Sequence, residues 1–99
     1  MIAEISIIPI GKGVSLSKYV ARAVKIIARS GLKYQVTSMG TIIEGNIDKV
    51  FAVIKQCHLA VLRDSSRVYT RIIIDDRKGK IDRMTYKVTS VIKKLSRYR

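Results

Sequence analysis

Tryptophan is absent from this 99-residue chain, and phenylalanine, proline, cysteine and histidine each occur once. A lone cysteine excludes an internal disulfide framework and leads us to expect an intracellular protein with a reduced thiol. A lone histidine leaves no nucleophile–base pair to assemble. It sits beside the cysteine as Cys57-His58, yet sequence neighbours on a helix do not face each other, and no second histidine or cysteine exists to complete a zinc site. No apolar run approaches the roughly 18 residues a membrane span needs, so no membrane partner is expected. The opening MIAEISIIPI carries Glu4 and lacks a basic stretch and a small-residue cleavage site, so no secretory signal is expected and the cytoplasm is the expected location. GKG at 11–13 lacks the spacing of a phosphate loop. No catalytic residue, metal or cofactor is expected.

Acidic residues are scarce too: 7 against 20 lysines and arginines, for a net charge of +13. Residues 1–76 hold 11 basic and 6 acidic side chains, net +5, whereas residues 77–99 hold 9 and 1, net +8. The excess therefore sits in the last quarter, where it forms either a solvated helix face or a patch for nucleic acid.

What is present is apolar: 47% of the residues, too many for disorder. The length fits one domain, 1–99. Isoleucine-rich alternation marks MIAEISIIPI as a strand. SLSKYVARAVKIIARSG follows with Leu16, Tyr19, Val20, Ala23, Val24 and Ile27 at helical spacing, Ser15 or Ser17 as cap and Gly31 as stop. KYQVTS and TIIEG read as strands around Met39-Gly40, joined by a tight turn or a slightly longer loop. NIDKVFAVIKQCHLAVLR is a second helix capped by Asn46 or Asp48, its stripe running Ile47, Val50, Phe51, Ile54, Cys57, His58 and Val61. RVYTRIIIDDR is the fourth strand. IDRMTYKVTSVIKKL is a third helix with Ile81, Met84, Val88, Val91, Ile92 and Leu95 on one face. The order βαββαβ plus a helix predicts an α+β, ferredoxin-like sandwich: a four-stranded antiparallel sheet, two helices on one face and a C-terminal helix.

Strand parity divides the sheet. Ala3, Ile5, Ile7, Tyr34, Val36, Thr41, Ile43, Val68, Thr70, Ile72 and Ile74 share the helix-covered side. Glu4, Ser6, Ile8, Gln35, Thr37, Ile42, Glu44, Tyr69, Arg71 and Ile73 share the other. That second face exposes large apolar groups in a monomer, which predicts cover by another subunit, by the third helix, or by both. Burying its charges requires partners: an Arg71–carboxylate pair, or a ligand at a subunit boundary.

YQVTSMGTIIEG, CHLAVL, RVYTRIIIDDR and KVTSVIKKL, in this order over essentially the whole chain, resemble the small YkoF-like family of thiamine-binding proteins. The resemblance implies a ferredoxin-like subunit, dimers built by packing sheets, often tetramers, and non-catalytic binding of thiamine or its aminopyrimidine portion near subunit boundaries. It places the TxxEG element on Thr41, Glu44 and Gly45. Glu44 would hold the pyrimidine nitrogen that gains a proton. Thr37, Ser38 and Thr41 would hydrogen-bond the exocyclic amine, and Tyr69 would stack on a ring. Glu4 or Glu44 would offset the cation. The expected ligand-binding set is Ser6, Thr37, Ser38, Thr41, Glu44, Tyr69 and Arg71. Two rivals remain: a nucleic-acid-binding protein using its basic C-terminal helix, and a structural or regulatory oligomer without ligand. The two central strands carry no aromatics to stack bases, which counts against the first rival.

Overall fold

The computed structural model describes residues 1–97. Seven elements follow the expected order: β1 (Ile2–Pro9), α1 (Ser17–Arg29), β2 (Lys33–Val36), β3 (Thr41–Glu44), α2 (Ile47–Leu62), β4 (Val68–Asp75) and α3 (Arg83–Ser96). The strands form one antiparallel sheet in the order β2-β3-β1-β4. The fold is therefore the predicted ferredoxin-like sandwich. Its register sets Ala3 against Ile43 and Ile74, and Ile5 against Thr41 and Ile72, so the two faces divide as parity requires.

The core lies between the helix side of the sheet and helices α1 and α2. Ala3, Ile5, Ile7 and Ile43 meet Tyr19, Ala23 and Ile27 from α1 and Val50, Ile54, Cys57 and Val61 from α2. Ile27, Ile43, Val50 and Val61 are fully enclosed. Each such side chain contributes roughly 1.5–3 kcal/mol by leaving water. The stripe on α2 is rotated from its expected position: Val53 and Ala60 are buried, while Ile47 and Phe51 are exposed. Small Ala60 lets the two helices approach closely, and the guanidinium of Arg22 crosses that seam to the Ala60 carbonyl and the Asp64 carboxylate.

Helix ends follow local chemistry, with two departures. Asn46 caps α2 by accepting from the Lys49 N–H at 2.9 Å, and Gly31 takes φ +78° just beyond α1. Neither Ser15 nor Ser17 caps α1; the N-cap position falls on Leu16, and no side chain bonds there. Helix α3 begins two residues later than its apolar spacing suggests, leaving Ile81 outside it and 83% exposed.

The larger departure is the place of α3. None of its residues is buried. Val88, Val91, Ile92 and Leu95 keep more than half their surface in water, and Tyr69 and Ile73 on the open sheet face do the same. Within one chain α3 does not cover that face. It meets the sheet only near its own start and then projects outward, which stretches the longest dimension to 49 Å. No helix among the described residues is long and apolar enough to cross a membrane.

Candidate functional site

Strands β1 and β3 differ in length, and the mismatch opens a notch. The ladder between them ends where Ile5 meets Thr41, yet β1 continues to Pro9 against β4 alone. Main-chain groups along that side of Ser6–Ile8 therefore lack a strand partner. The loop Thr37–Gly40 folds over the gap. It is four residues long, so the connection is the longer of the two turns the sequence allowed.

The Thr37 hydroxyl organises this loop. It donates to the Gly40 carbonyl at 2.8 Å and accepts from the N–H groups of Met39 and Gly40, both at 3.2 Å. Ser6 ties the loop to β1 by donating to the Met39 carbonyl at 3.1 Å. Gly40 is required by close approach: a Cβ there would lie 2.9 Å from the Ile5 carbonyl oxygen and 3.0 Å from Ser6 Oγ. The same construction brings the Glu4 side chain against Gly40.

Beneath the loop lies a cavity of about 210 Å³. Its floor is apolar, built from Ile5, Ile7, Ala23 and Ile27, with Leu16 and Val20 of the α1 entry at its side. Its polar lining comes from Ser6, Thr37, Ser38 and Thr41. Thr37 and Ser6 are committed to the loop. Thr41 is nearly buried, and its hydroxyl, like that of Ser38, has no hydrogen-bond partner among the described residues. A ligand entering here meets an apolar slot with two uncommitted hydroxyls, the usual composition of a small-molecule site.

The other expected site residues divide. Arg71 stands opposite Ser6 and Tyr69 opposite Ile8 across the β1–β4 ladder, on the open face but on the side of β1 away from the notch, and neither lines the cavity. Glu44 does not join them. It lies at the far end of β3, three residues from Thr41 and so about 10 Å along the strand. It forms no ion pair with Arg71 among the described residues. One carboxylate oxygen accepts from the Arg83 N–H at the start of α3, while the other is buried without a partner. Asp82, the nominal N-cap of α3, sits in the left-handed region at φ 54° and makes no capping bond. Glu44 supplies the cap from the sheet instead, placing negative charge at the positive end of the helix dipole. Lys33–Thr85 and Lys87–Asp75 bonds secure the same end. The Lys87 ammonium beside Asp75 holds that carboxyl below its usual range.

His58 and Cys57 carry no chemistry of this kind. His58 Nδ1 shares a 2.6 Å hydrogen bond with Thr70 Oγ1. Burial pushes the Cys57 thiol up to about 11, which keeps it protonated and unreactive at neutral pH. No group of three metal-ligating side chains forms among the described residues.

Sequence reasoning gathered Thr37, Ser38 and Thr41 because they surround one turn. It missed the apolar half of the cavity, which comes from β1 and α1 together. Leu16 and Val20 carried a signal, as apolar positions at the start of the α1 stripe, but nothing in the spacing says that they border a void.

A model of the thiamine-binding protein family matches residues 3–92. A UPF0045 protein of Methanocaldococcus jannaschii is 40% identical over 92% of this chain and 91% of its own length. The UPF0045 protein YqgV of Bacillus subtilis is 44% identical over 95% of this chain and 96% of its own. The crystal structure of the Methanocaldococcus protein superposes with a TM-score of 0.86, covering 91% of this chain and 93% of that one at 40% identity. A Thermotoga maritima protein, assigned provisionally to thiamine biosynthesis or salvage, shares the fold at a TM-score of 0.74 and 23% identity, over 99% and 97% of the two chains.

Proposed function

The chain belongs to the thiamine-binding protein family, and from that premise we propose that it is a non-enzymatic binding protein whose cavity under the Thr37–Gly40 loop takes the aminopyrimidine ring of thiamine. The observation that carries this reading is the fit between cavity and ring. A void of about 150 Å³ accepts benzene, and about 210 Å³ accommodates one six-membered ring with small substituents. The pocket is open on one side, so a second, linked ring extends out of it. The thiazolium therefore lies outside, toward the open face where Ser6 and Ile8 border the notch. The hydroxyls of Thr41 and Ser38 bond the exocyclic amine and a ring nitrogen. Glu4, packed against Gly40, is the carboxylate placed to offset the cation. Glu44 serves the architecture around α3.

Self-association belongs to the same reading. The open face and the apolar side of α3 each leave large side chains in water, and packing against a second copy relieves both. The thiazolium then lies at a subunit boundary, in a dimer or tetramer.

Calorimetry with thiamine and with its free aminopyrimidine alcohol tests the proposal. Both ligands saturate the protein, and the pyrimidine fragment retains most of the affinity. No saturation by either at high micromolar concentration overturns it.

A second reading rests on α3 alone. Its free surface carries Lys93, Lys94 and Arg97 beside Tyr86, and residues 98 and 99 of the basic tail lie outside the described chain. Nucleic-acid affinity that falls steeply with salt and disappears on removal of residues 80–99 supports that reading.

A further inference from the structure

Strand β1 lies between β3 and β4 and divides its main chain between them. In an antiparallel ladder one residue sends both its N–H and its C=O to the same neighbour, and the next residue sends both the other way. Three contacts fix the phase. The Met1 carbonyl accepts from the Gly45 N–H at 3.1 Å, on the β3 side. The Ile5 carbonyl oxygen faces Gly40 on that same side. The Ile10 N–H donates to the Arg67 carbonyl at 2.8 Å, on the β4 side. Odd-numbered residues of β1 therefore face β3, and even-numbered residues face β4.

The β1–β3 ladder stops at Ile5. Ile7 is the next residue turned to that side, so its N–H and C=O point together into the notch. Neither has a hydrogen-bond partner among the described residues. Pro9 follows on the same side and brings no N–H, the one setting in which a sheet tolerates proline without losing a bond. The cavity runs along this stretch. Ile5 and Ile7 line it from the helix side, and Ser6 and Ile8 line it from the open side. A void that touches side chains of both parities lies at the edge of the strand, against its main chain. A donor and an acceptor side by side against apolar walls call for a partner.

We propose that the main chain of Ile7 is the recognition element of the cavity, reading a flat ring that carries an amine and an acceptor nitrogen on adjacent atoms. The ring takes the place of the missing β3 residue. The Ile7 carbonyl accepts from the amine, and the Ile7 N–H donates to the nitrogen beside it. This assignment rests on the aminopyrimidine reading of the cavity and deepens it. The second amine hydrogen and the remaining ring nitrogen are left for the hydroxyls of Thr41 and Ser38. The link to the second ring must point out of the cavity, so the ring cannot turn over. A ring with a carbonyl in place of the amine then sets acceptor against acceptor and N–H against N–H. The site rejects it although its shape is the same.

Amide exchange of the full chain, followed by NMR, tests the geometry first without ligand. The Ser6 and Ile8 N–H groups, turned to β4, exchange slowly, and the Ile7 N–H between them exchanges fast. Equal protection at all three overturns the proposal. Saturating thiamine, or its free aminopyrimidine alcohol, then slows exchange at Ile7 by about tenfold or more. A chain synthesised with an ester in place of the Ser6–Ile7 amide loses that donor and keeps every side chain; it binds both ligands about tenfold more weakly. The 4-oxo analogue of thiamine binds the native chain at least about a hundredfold more weakly than thiamine, because two bonds are replaced by two repulsions. Saturation by thiamine with Ile7 still exchanging fast, an ester chain that binds as well as the native one, or equal affinity for the 4-oxo analogue overturns the role of Ile7 and leaves the binding reading standing. Absence of saturation by either ligand removes both.

Discussion

The two ends of β3 carry the two polar residues of one short motif, and they do opposite things. At one end Thr41 keeps a nearly buried hydroxyl unengaged beside a cavity. At the other, Glu44 spends one oxygen on the main chain of α3 and is enclosed by it. Leaving a polar group without a partner costs about 1–3 kcal/mol when it is fully buried. The Thr41 hydroxyl lines the pocket and is not enclosed in this way, so it stays free to bond what enters. At the Glu44 end half of that penalty is already relieved by a helix. Sequence proximity within TIIEG therefore does not mean shared purpose.

The largest expected effect comes from closing the cavity end. Gly40→Val drives a side chain into the Ile5 carbonyl and Ser6. It lowers stability by about 1–3 kcal/mol and abolishes thiamine binding; chemical denaturation and calorimetry read both. Thr41→Val removes one hydroxyl without changing volume. Binding weakens about tenfold, roughly 1.4 kcal/mol, while the melting temperature holds or rises; an unchanged affinity would separate Thr41 from the ligand. Glu44→Ala works at the opposite end. It removes the cap of α3 and costs roughly 0.5–2 kcal/mol, seen as lost amide protection in the first turn of that helix, with thiamine affinity unchanged within twofold. Loss of binding in this variant would erase the distinction between the two ends. The smallest effect is that of pH. Lys87 lowers the Asp75 pKa in the folded state, so the tether is fully present above the ordinary carboxylate value of about 3.9. It is lost as pH falls below that value through the folded pKa. Amide exchange in α3 should accelerate there before the cavity end responds.

The sheet was legible because alternation carries its own geometry. Once Ala3, Ile5 and Ile43 are placed inward, the opposite parity follows for every strand. The helix stripes were less so. Val53 and Ala60 enter the core while Ile47 and Phe51 leave it, since a 16-residue helix presents apolar groups over a wide arc and packing against α1 and β4 selects among them. The spacing of α3 disclosed an apolar side but not its partner, and none of that side is buried within one chain. The turn residues Thr37, Ser38 and Thr41 announced the cavity, and Ser6 joined them through strand parity. That β1 overruns β3 at this point is a matter of ladder register, which no local pattern records. The fate of Glu44 was hidden for a different reason. It depends on Asp82 adopting a left-handed backbone and failing to cap its own helix, a local choice that composition does not dictate.

That borrowed cap also sets an order of assembly. Helices of about 14 residues are marginal in water without tertiary support, and α3 draws its first-turn stabilisation from a carboxylate 39 residues earlier in the chain. Its other tethers, Lys33 and Asp75, also lie on strands, so until the sheet is in place the helix has no anchor at its start. α3 is thus stable only once the sheet, which has its own core with α1 and α2, has formed. Helix α3, with its exposed apolar side, therefore stays unanchored until then.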